Sequence, residues 1–250
     1  MLTTDPGHSA ACLTGGQTLY GLGLGILMLD TKFPRLVGDV GHARTWPFPV
    51  AYRIVHGALP ARMAQPEADP ELLEPFVSAA RELADLGVRA ITTSCGFLAA
   101  YQRELSAVVP IPVFASPLLQ VPLAAALRPG RPIVILTAKT VLGERHFTGS
   151  GWSTDEIPVI QAAPDAGSHF VETFVGNATT ADIAQLELEV EVLTARVMAE
   201  RPDVGAFVLE CANFAPFSHI VKRVSGRPVF DLYTLGMNAY LTTNLTSAFE

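Results

Sequence analysis

The chain has 250 residues, 49% hydrophobic and 16% charged, with a formal net charge of -7 and no Lys/Arg-rich run. This composition excludes a largely disordered polypeptide and argues against nucleic acid or an anionic membrane as partner. Three cysteines without a CxxC pair, and six histidines without HxxxH spacing, suggest neither a disulfide framework nor a metal site.

Residues 1–18 are small and polar and read as a flexible N-terminal extension, with Cys12 incidental. Leu19 to Leu29 is apolar but too short to span a bilayer, and no basic region precedes it. A soluble, cytoplasmic protein is therefore expected. Leu24 to Leu29 is a buried strand ending at Asp30. Residues 31–49 carry Pro34, Gly38, Gly41, Pro47 and Pro49 without helical period; a loop this long is often functional. Val50 to Val55 is a second strand. A helix follows over 71–86, with Leu72, Leu73, Phe76, Val77, Ala80, Leu83 and Ala84 at three-to-four spacing. Strand 88–93 leads into Cys95, a helix spans 97–108, and strand 112–115 completes the first half.

The second half repeats the rhythm. Strand 132–136 ends in Thr137-Ala-Lys-Thr140, where a helix is expected to begin, and strand 157–160 follows. Helix 180–200 buries Ile183, Leu186, Val190, Leu193 and Val197, with Thr179 or Thr180 as its cap. Strand 206–209 leads to Cys211, Pro216 opens the next helix, and strand 228–230 ends at Asp231 before a final helix. The alternation predicts an α/β fold of two pseudo-symmetric lobes, each a small, mainly parallel sheet flanked by helices, with the active site in the cleft. The expected lobes are 19–115 plus 229–250, and 116–228.

Cys95 and Cys211 occupy matching contexts, each after a short apolar strand and before a helix, close to half the chain apart. Ligands of α/β sheets bind at the carboxyl ends of strands. A helix N-terminus favours a thiolate, so both thiols are expected to have lowered pKa values. One thiol on either side of a carbon suits proton removal from one face and return to the other. The plain alternative is that each cysteine is a small buried apolar group.

Thr92-Thr-Ser-Cys95-Gly-Phe-Leu and Leu209-Glu-Cys211-Ala-Asn-Phe resemble the paired cysteine motifs of the aspartate/glutamate/hydantoin racemase superfamily. Leu136-Thr137-Ala-Lys-Thr140 resembles its carboxylate-holding turn, and Asp30 corresponds to an acidic position there. The resemblance covers roughly residues 20 to 245. It implies a cofactor-independent enzyme, a small carboxylate substrate clamped between the lobes, and homodimers. In a dimer, the first strand and the loop Trp46 to Pro49 are the expected contacts.

The candidate catalytic residues are Cys95 and Cys211. The candidate substrate-binding residues are Asp30, Arg35, Thr93, Ser94, Gly96, Thr137, Thr140 and Asn213. Asn213 stands where racemases of the superfamily carry a titratable residue, which separates this chain from glutamate and aspartate racemases. Glu210 replaces a common glycine, and strand alternation predicts that it points away from the cysteine. The expected activity is racemisation or epimerisation of a carboxylate-bearing carbon acid by two-thiol proton transfer. Maleate-isomerase-like and decarboxylase-like chemistry are the alternatives within the superfamily. A cysteine hydrolase using Cys95 lacks a histidine in either motif, and a two-lobed binding protein without chemistry remains a further reading.

Overall fold

The computed structural model describes residues 16–244; the expected extension lies outside the described residues as far as residue 15, and Cys12 with it. The first lobe contains β1 (Leu24–Leu29), β2 (Val50–Val55), α1 (Pro60–Met63), α2 (Pro70–Asp85) and β3 (Ile91–Thr93). A 3-10 turn, Gly96–Tyr101, then runs into α3 (Gln102–Val108), and β4 (Val113–Phe114) follows. A second 3-10 turn, Pro117–Gln120, leads into α4 (Val121–Leu127) and crosses to the second lobe. There β5 (Ile133–Leu136), α5 (Glu144–Gly149), β6 (Val159–Ala162), a π-helical turn at Val171–Val175 and α6 (Ile183–Glu200) follow in order. Next come β7 (Ala206–Leu209), a 3-10 turn at Ala212–Phe217, α7 (Ser218–Ser225), β8 (Val229–Phe230) and α8 (Leu232–Thr243).

Both sheets are four-stranded and wholly parallel, with the same strand order: β2-β1-β3-β4 and β6-β5-β7-β8. The central strands are covered on both faces, which is why they read as unbroken apolar runs rather than alternating ones. In β1, Leu27 and Leu29 join the main core, while Leu24, Ile26 and Met28 pack with Trp46, Leu232, Leu235 and Ala239. In β5, Ile133 and Ile135 face the core shared with the first lobe, and Val134 and Leu136 face α6 and α7.

The lobes are locked together next to Cys95. A Cβ on Gly149 of α5 would lie 2.2 Å from the Ala99 carbonyl oxygen, so glycine permits this close approach. His146 is buried and packs edge-on against Phe97 at 5.5 Å. Its Nδ1 accepts the Gly143 N–H, and burial pushes its pKa down.

Several expectations are corrected. Residues 229–230 pair with β7 in the second sheet, so the segment returning to the first lobe begins with α8. The chain turns at Asp231, a buried residue that caps α8 by accepting the Thr234 N–H at 2.8 Å. No helix starts at 137–140. Backbone groups of Leu142 bond instead to the Gln161 side chain of β6, and α5 begins only at Glu144. Helix α6 is capped by Asp182, which accepts the Gln185 N–H, rather than by Thr179 or Thr180. Pro216 lies inside a 3-10 turn, not at the start of a helix. The first strand and Trp46 are interior: β1 is a central strand, and Trp46 is buried, stacked on Tyr233. Of the expected dimer contacts, Pro47 and Pro49 of the loop are exposed. Among the described residues, no helix is long and apolar enough to cross a membrane.

Candidate active site

The strand ends that carry the cysteines meet across one small cavity of about 40 Å³. Cys95, Ser94, Gly96 and Phe97 line it from the first lobe; Glu210, Cys211, Ala212 and Asn213 line it from the second. The loop after β1 adds Thr31, Phe33 and Arg35, and the π-helical turn adds Phe174 and Val175. Phe33 and Phe174 touch edge to face at 5.1 Å, so these two segments form one aromatic wall.

The first turn is tied by Thr93. Its hydroxyl donates to the Ala115 carbonyl at 2.7 Å and accepts the Cys95 N–H at 3.2 Å. Thr93 is fully buried and does not line the cavity, which corrects its expected contact with substrate. Ser94 does line it, and its Oγ accepts the Leu29 N–H at 2.9 Å, leaving the hydroxyl proton free to donate. The second turn forms differently. The N–H groups of Glu210 and Cys211 both reach the Leu136 carbonyl, at 2.8 and 3.4 Å. Two consecutive residues sharing one acceptor break the strand's alternation. Glu210 therefore faces the cavity beside Cys211, contrary to the expectation from strand period.

Arg35 borders the cavity. It ion-pairs with buried Asp39, donates to the Thr31 hydroxyl at 2.6 Å, and lies 4.5 Å from the Phe33 ring centroid. Asn213 is half-buried and lines the cavity. Asp30, Thr137 and Thr140 do not line it. Asp30 accepts the Gly57 N–H and sits 3.4 Å from His56 Nδ1. Thr137 is fully buried, with its hydroxyl donating to the Lys139 carbonyl at 3.1 Å, and Thr140 is exposed. Of the turn that resembled a carboxylate clamp, only Ala138 lines the cavity.

The electrostatics also depart from expectation. Backbone N–H groups of Phe97 and Leu98 face the Cys95 sulfur, and that of Asn213 faces Cys211; these favour thiolates. Burial outweighs them, and the neighbouring Glu210 adds to the effect, so both thiols are pushed up rather than down. Glu210 is itself 0% exposed, and neither carboxyl oxygen has a hydrogen-bond partner among the described residues. Burial raises its pKa to about 8, and the nearby Thr137 hydroxyl offsets only part of this. The resting site thus holds two thiols and a neutral carboxyl.

Sequence reasoning missed Glu210, Phe33, Phe174 and Val175. The break in alternation at residue 210 has no compositional mark, and the π-helical turn has no period to detect.

Against known proteins, the chain is 33% identical over 218 residues to a dimethylsulfoniopropionate lyase of Durusdinium sp. clade D, covering 83% of this chain and 70% of that one. It is 28% identical over 227 residues to dimethylsulfoniopropionate lyase 7 of Emiliania huxleyi (strain CCMP1516), covering 87% of this chain and 66% of the relative. Among solved structures, the Gly74Cys mutant of arylmalonate decarboxylase in its sulfate-associated form aligns with a TM-score of 0.60 at 18% identity, over 88% of this chain and 92% of that one. Glutamate racemase from Francisella tularensis subsp. tularensis SCHU S4, in complex with D-glutamate, aligns with a TM-score of 0.53 at 12% identity, over 89% and 80% of the two chains. At such identities the structural likeness shows the fold, which is the one the two cysteine motifs resembled. No protein-family model matches the chain.

Proposed function

Because this chain belongs to the dimethylsulfoniopropionate lyase family and has the fold of the aspartate/glutamate racemase superfamily, we propose that it is a carbon–sulfur lyase that eliminates dimethyl sulfide from dimethylsulfoniopropionate. The observation that carries this reading is the 33% identity to a lyase so named, over 83% of the chain. It favours elimination over the racemisation suggested by the matched thiols.

The chemistry asks for a base beside an acidic C–H and for a wall that tolerates a sulfonium. A thiolate takes the proton next to the carboxylate and becomes a thiol. The C–H electron pair forms the new carbon–carbon double bond. The carbon–sulfur bond breaks with its pair going to sulfur, releasing neutral dimethyl sulfide and acrylate. The thiol then gives its proton to solvent, which balances the reaction.

We assign the base to Cys95. Its sulfur faces two backbone N–H groups where Cys211 faces one, and it is the less buried of the two. A buried thiol is a poor base on its own, but a sulfonium cation within a few ångström favours the charged sulfur and counters desolvation. The substrate thus helps to ionise its own base. Leu29, Phe33, Phe174 and Val175 give an apolar surface for the two methyl groups, and aromatic faces attract onium cations. Arg35 is the cation for the carboxylate, with Ser94, Gly96 and Asn213 as polar contacts.

The test is to incubate purified protein with dimethylsulfoniopropionate and follow headspace dimethyl sulfide together with acrylate by proton NMR. Stoichiometric appearance of both is expected. No dimethyl sulfide, with α-proton exchange and inversion of a chiral acid in D₂O, would return the protein to the racemases.

A further inference from the structure

Glu210, like Cys211, is an ionisable group of the cavity lining to which the elimination gives no task. Three observations set it apart from an ordinary core carboxyl. It has no exposure, yet lines the cavity between Cys95 and Cys211. Neither oxygen has a partner among the described residues. Finally, the opposite lobe is shaped to receive it: a Cβ on Gly96 would lie 2.2 Å from the Glu210 carbonyl oxygen and 2.4 Å from its Oε1. Buried polar atoms are almost always paired, and an orphaned carboxyl is costly unless something outside the chain completes it.

We propose that Glu210 is a substrate-binding residue, a neutral carboxyl that donates a hydrogen bond to the carboxylate of the short-chain acid held between the two cysteines. A carboxylate supplies the acceptor that the orphaned O–H lacks, and bonds to an ionised acceptor are the strong kind. The contact also strengthens as the reaction proceeds. When the adjacent C–H loses its proton, negative charge grows on the carboxylate oxygens, and a fixed donor there stabilises the transition state more than the ground state.

The surroundings keep Glu210 protonated. The Cys95 thiol from the first lobe, the Cys211 thiol from its own turn and the Thr137 hydroxyl at the end of β5 surround it, and Arg35 from the loop lines the same cavity. Arg35 is the only cation in that set, and its charge is already paired with Asp39. An ionised, unpartnered carboxylate in that company is strongly disfavoured. When it does ionise, it withdraws its donor and pushes both thiols further up.

The substrate's identity here rests on the lyase reading; the hydrogen bond does not, so the tests include two that need no turnover. In the first, propionate is titrated into wild type, Glu210→Gln and Glu210→Leu, well below pH 8, and followed by NMR. Loss of a hydrogen bond to a charged group predicts about 10- to 100-fold weaker binding in Glu210→Leu, with much of it recovered by the neutral amide of Glu210→Gln. In the second, infrared spectra of the wild type show a protonated-carboxyl band that fades through about pH 8, shifts on adding propionate, and is missing from Glu210→Gln. In the third, kcat/KM of the wild type rises with pH as the thiol ionises, then levels off near pH 8 as Glu210 ionises in turn; in Glu210→Gln it continues to rise. Equal propionate affinity in wild type and Glu210→Leu, or an ionised Glu210 well below pH 8, would overturn the proposal. If Glu210→Leu does not fold, an unshifted carboxyl band in wild type with propionate does the same. If dimethylsulfoniopropionate is not turned over but the propionate and infrared results hold, the lyase reading falls and the binding role stands.

Discussion

The two lobes share a strand order and place a cysteine at the same point, yet their turns are built differently. In the first lobe, the polar side chains before the cysteine are held by local hydrogen bonds: Thr93 bonds Ala115 and the Cys95 N–H, and Ser94 accepts the Leu29 N–H. In the second, two N–H groups crowd onto the Leu136 carbonyl, and a carboxyl is left without a partner. Cys95 is a half-buried residue with two N–H groups facing its sulfur; Cys211 is 9% exposed with one. A racemase needs matched acid and base across its cleft. An elimination needs one base, and gains from a fixed hydrogen-bond donor on the substrate carboxylate. The departure from symmetry is therefore the feature that best fits a lyase on this fold.

The sharpest way to break the comparison is to remove each thiol. Cys95→Ala is expected to cost about 10²- to 10⁴-fold in kcat, the usual worth of a general base. Cys211→Ala should cost much less, because the elimination does not call on a second thiol. Dimethyl sulfide release measures both. Equal losses would restore the symmetric, two-thiol reading.

The next test acts on the seam between the turns. Gly96→Ala places a methyl group into Glu210, whose backbone oxygen would be 2.2 Å away. Backbone cannot yield there as a flexible side chain would, so the turns must separate. A displacement near 1 Å at a reacting centre costs on the order of 10²-fold, and kcat/KM with dimethylsulfoniopropionate reads it. Unchanged activity would show that residue 96 and Glu210 need not approach so closely.

Much of this asymmetry was hidden from the sequence. The central strands, α2 and α6 were legible, because apolar runs and three-to-four spacing report burial directly. The cysteines were legible because both follow such runs. Residue 210 was misjudged because period-two reasoning holds only while the ladder does, and the ladder ends at Leu209. Thr137 and Thr140 were chosen by resemblance, but the Thr137 hydroxyl donates to the Lys139 carbonyl, and only Ala138 of their turn lines the cavity.

Glu210 also ties the asymmetry to stability. Its folded pKa of about 8 lies above the ordinary 4.5, so the folded state binds a proton more tightly than the unfolded state. That contribution is fully present below about pH 4.5 and is lost as pH rises to about 8, at about 1.4 kcal/mol per pH unit. Denaturant melts of wild type should therefore weaken across this window relative to Glu210→Gln. Asp231, also raised by burial, is common to both proteins and cancels in the difference. A flat difference would mean that Glu210 does not hold its proton.

The smallest expected effect separates resemblance from geometry. Thr140 belongs to the turn that resembled a carboxylate clamp, but it is exposed and lies outside the cavity lining. No described side chain forms a hydrogen bond with its hydroxyl, and surface substitutions of this kind usually fall within about 0.5 kcal/mol. Thr140→Ala should therefore leave kcat/KM within about twofold of wild type, since about 1.4 kcal/mol would be needed for a tenfold change. A loss near tenfold would mean that the turn moves onto the substrate when the cleft is filled. The second lobe would then supply a carboxylate contact of its own, and the division of labour between the lobes would have to be redrawn.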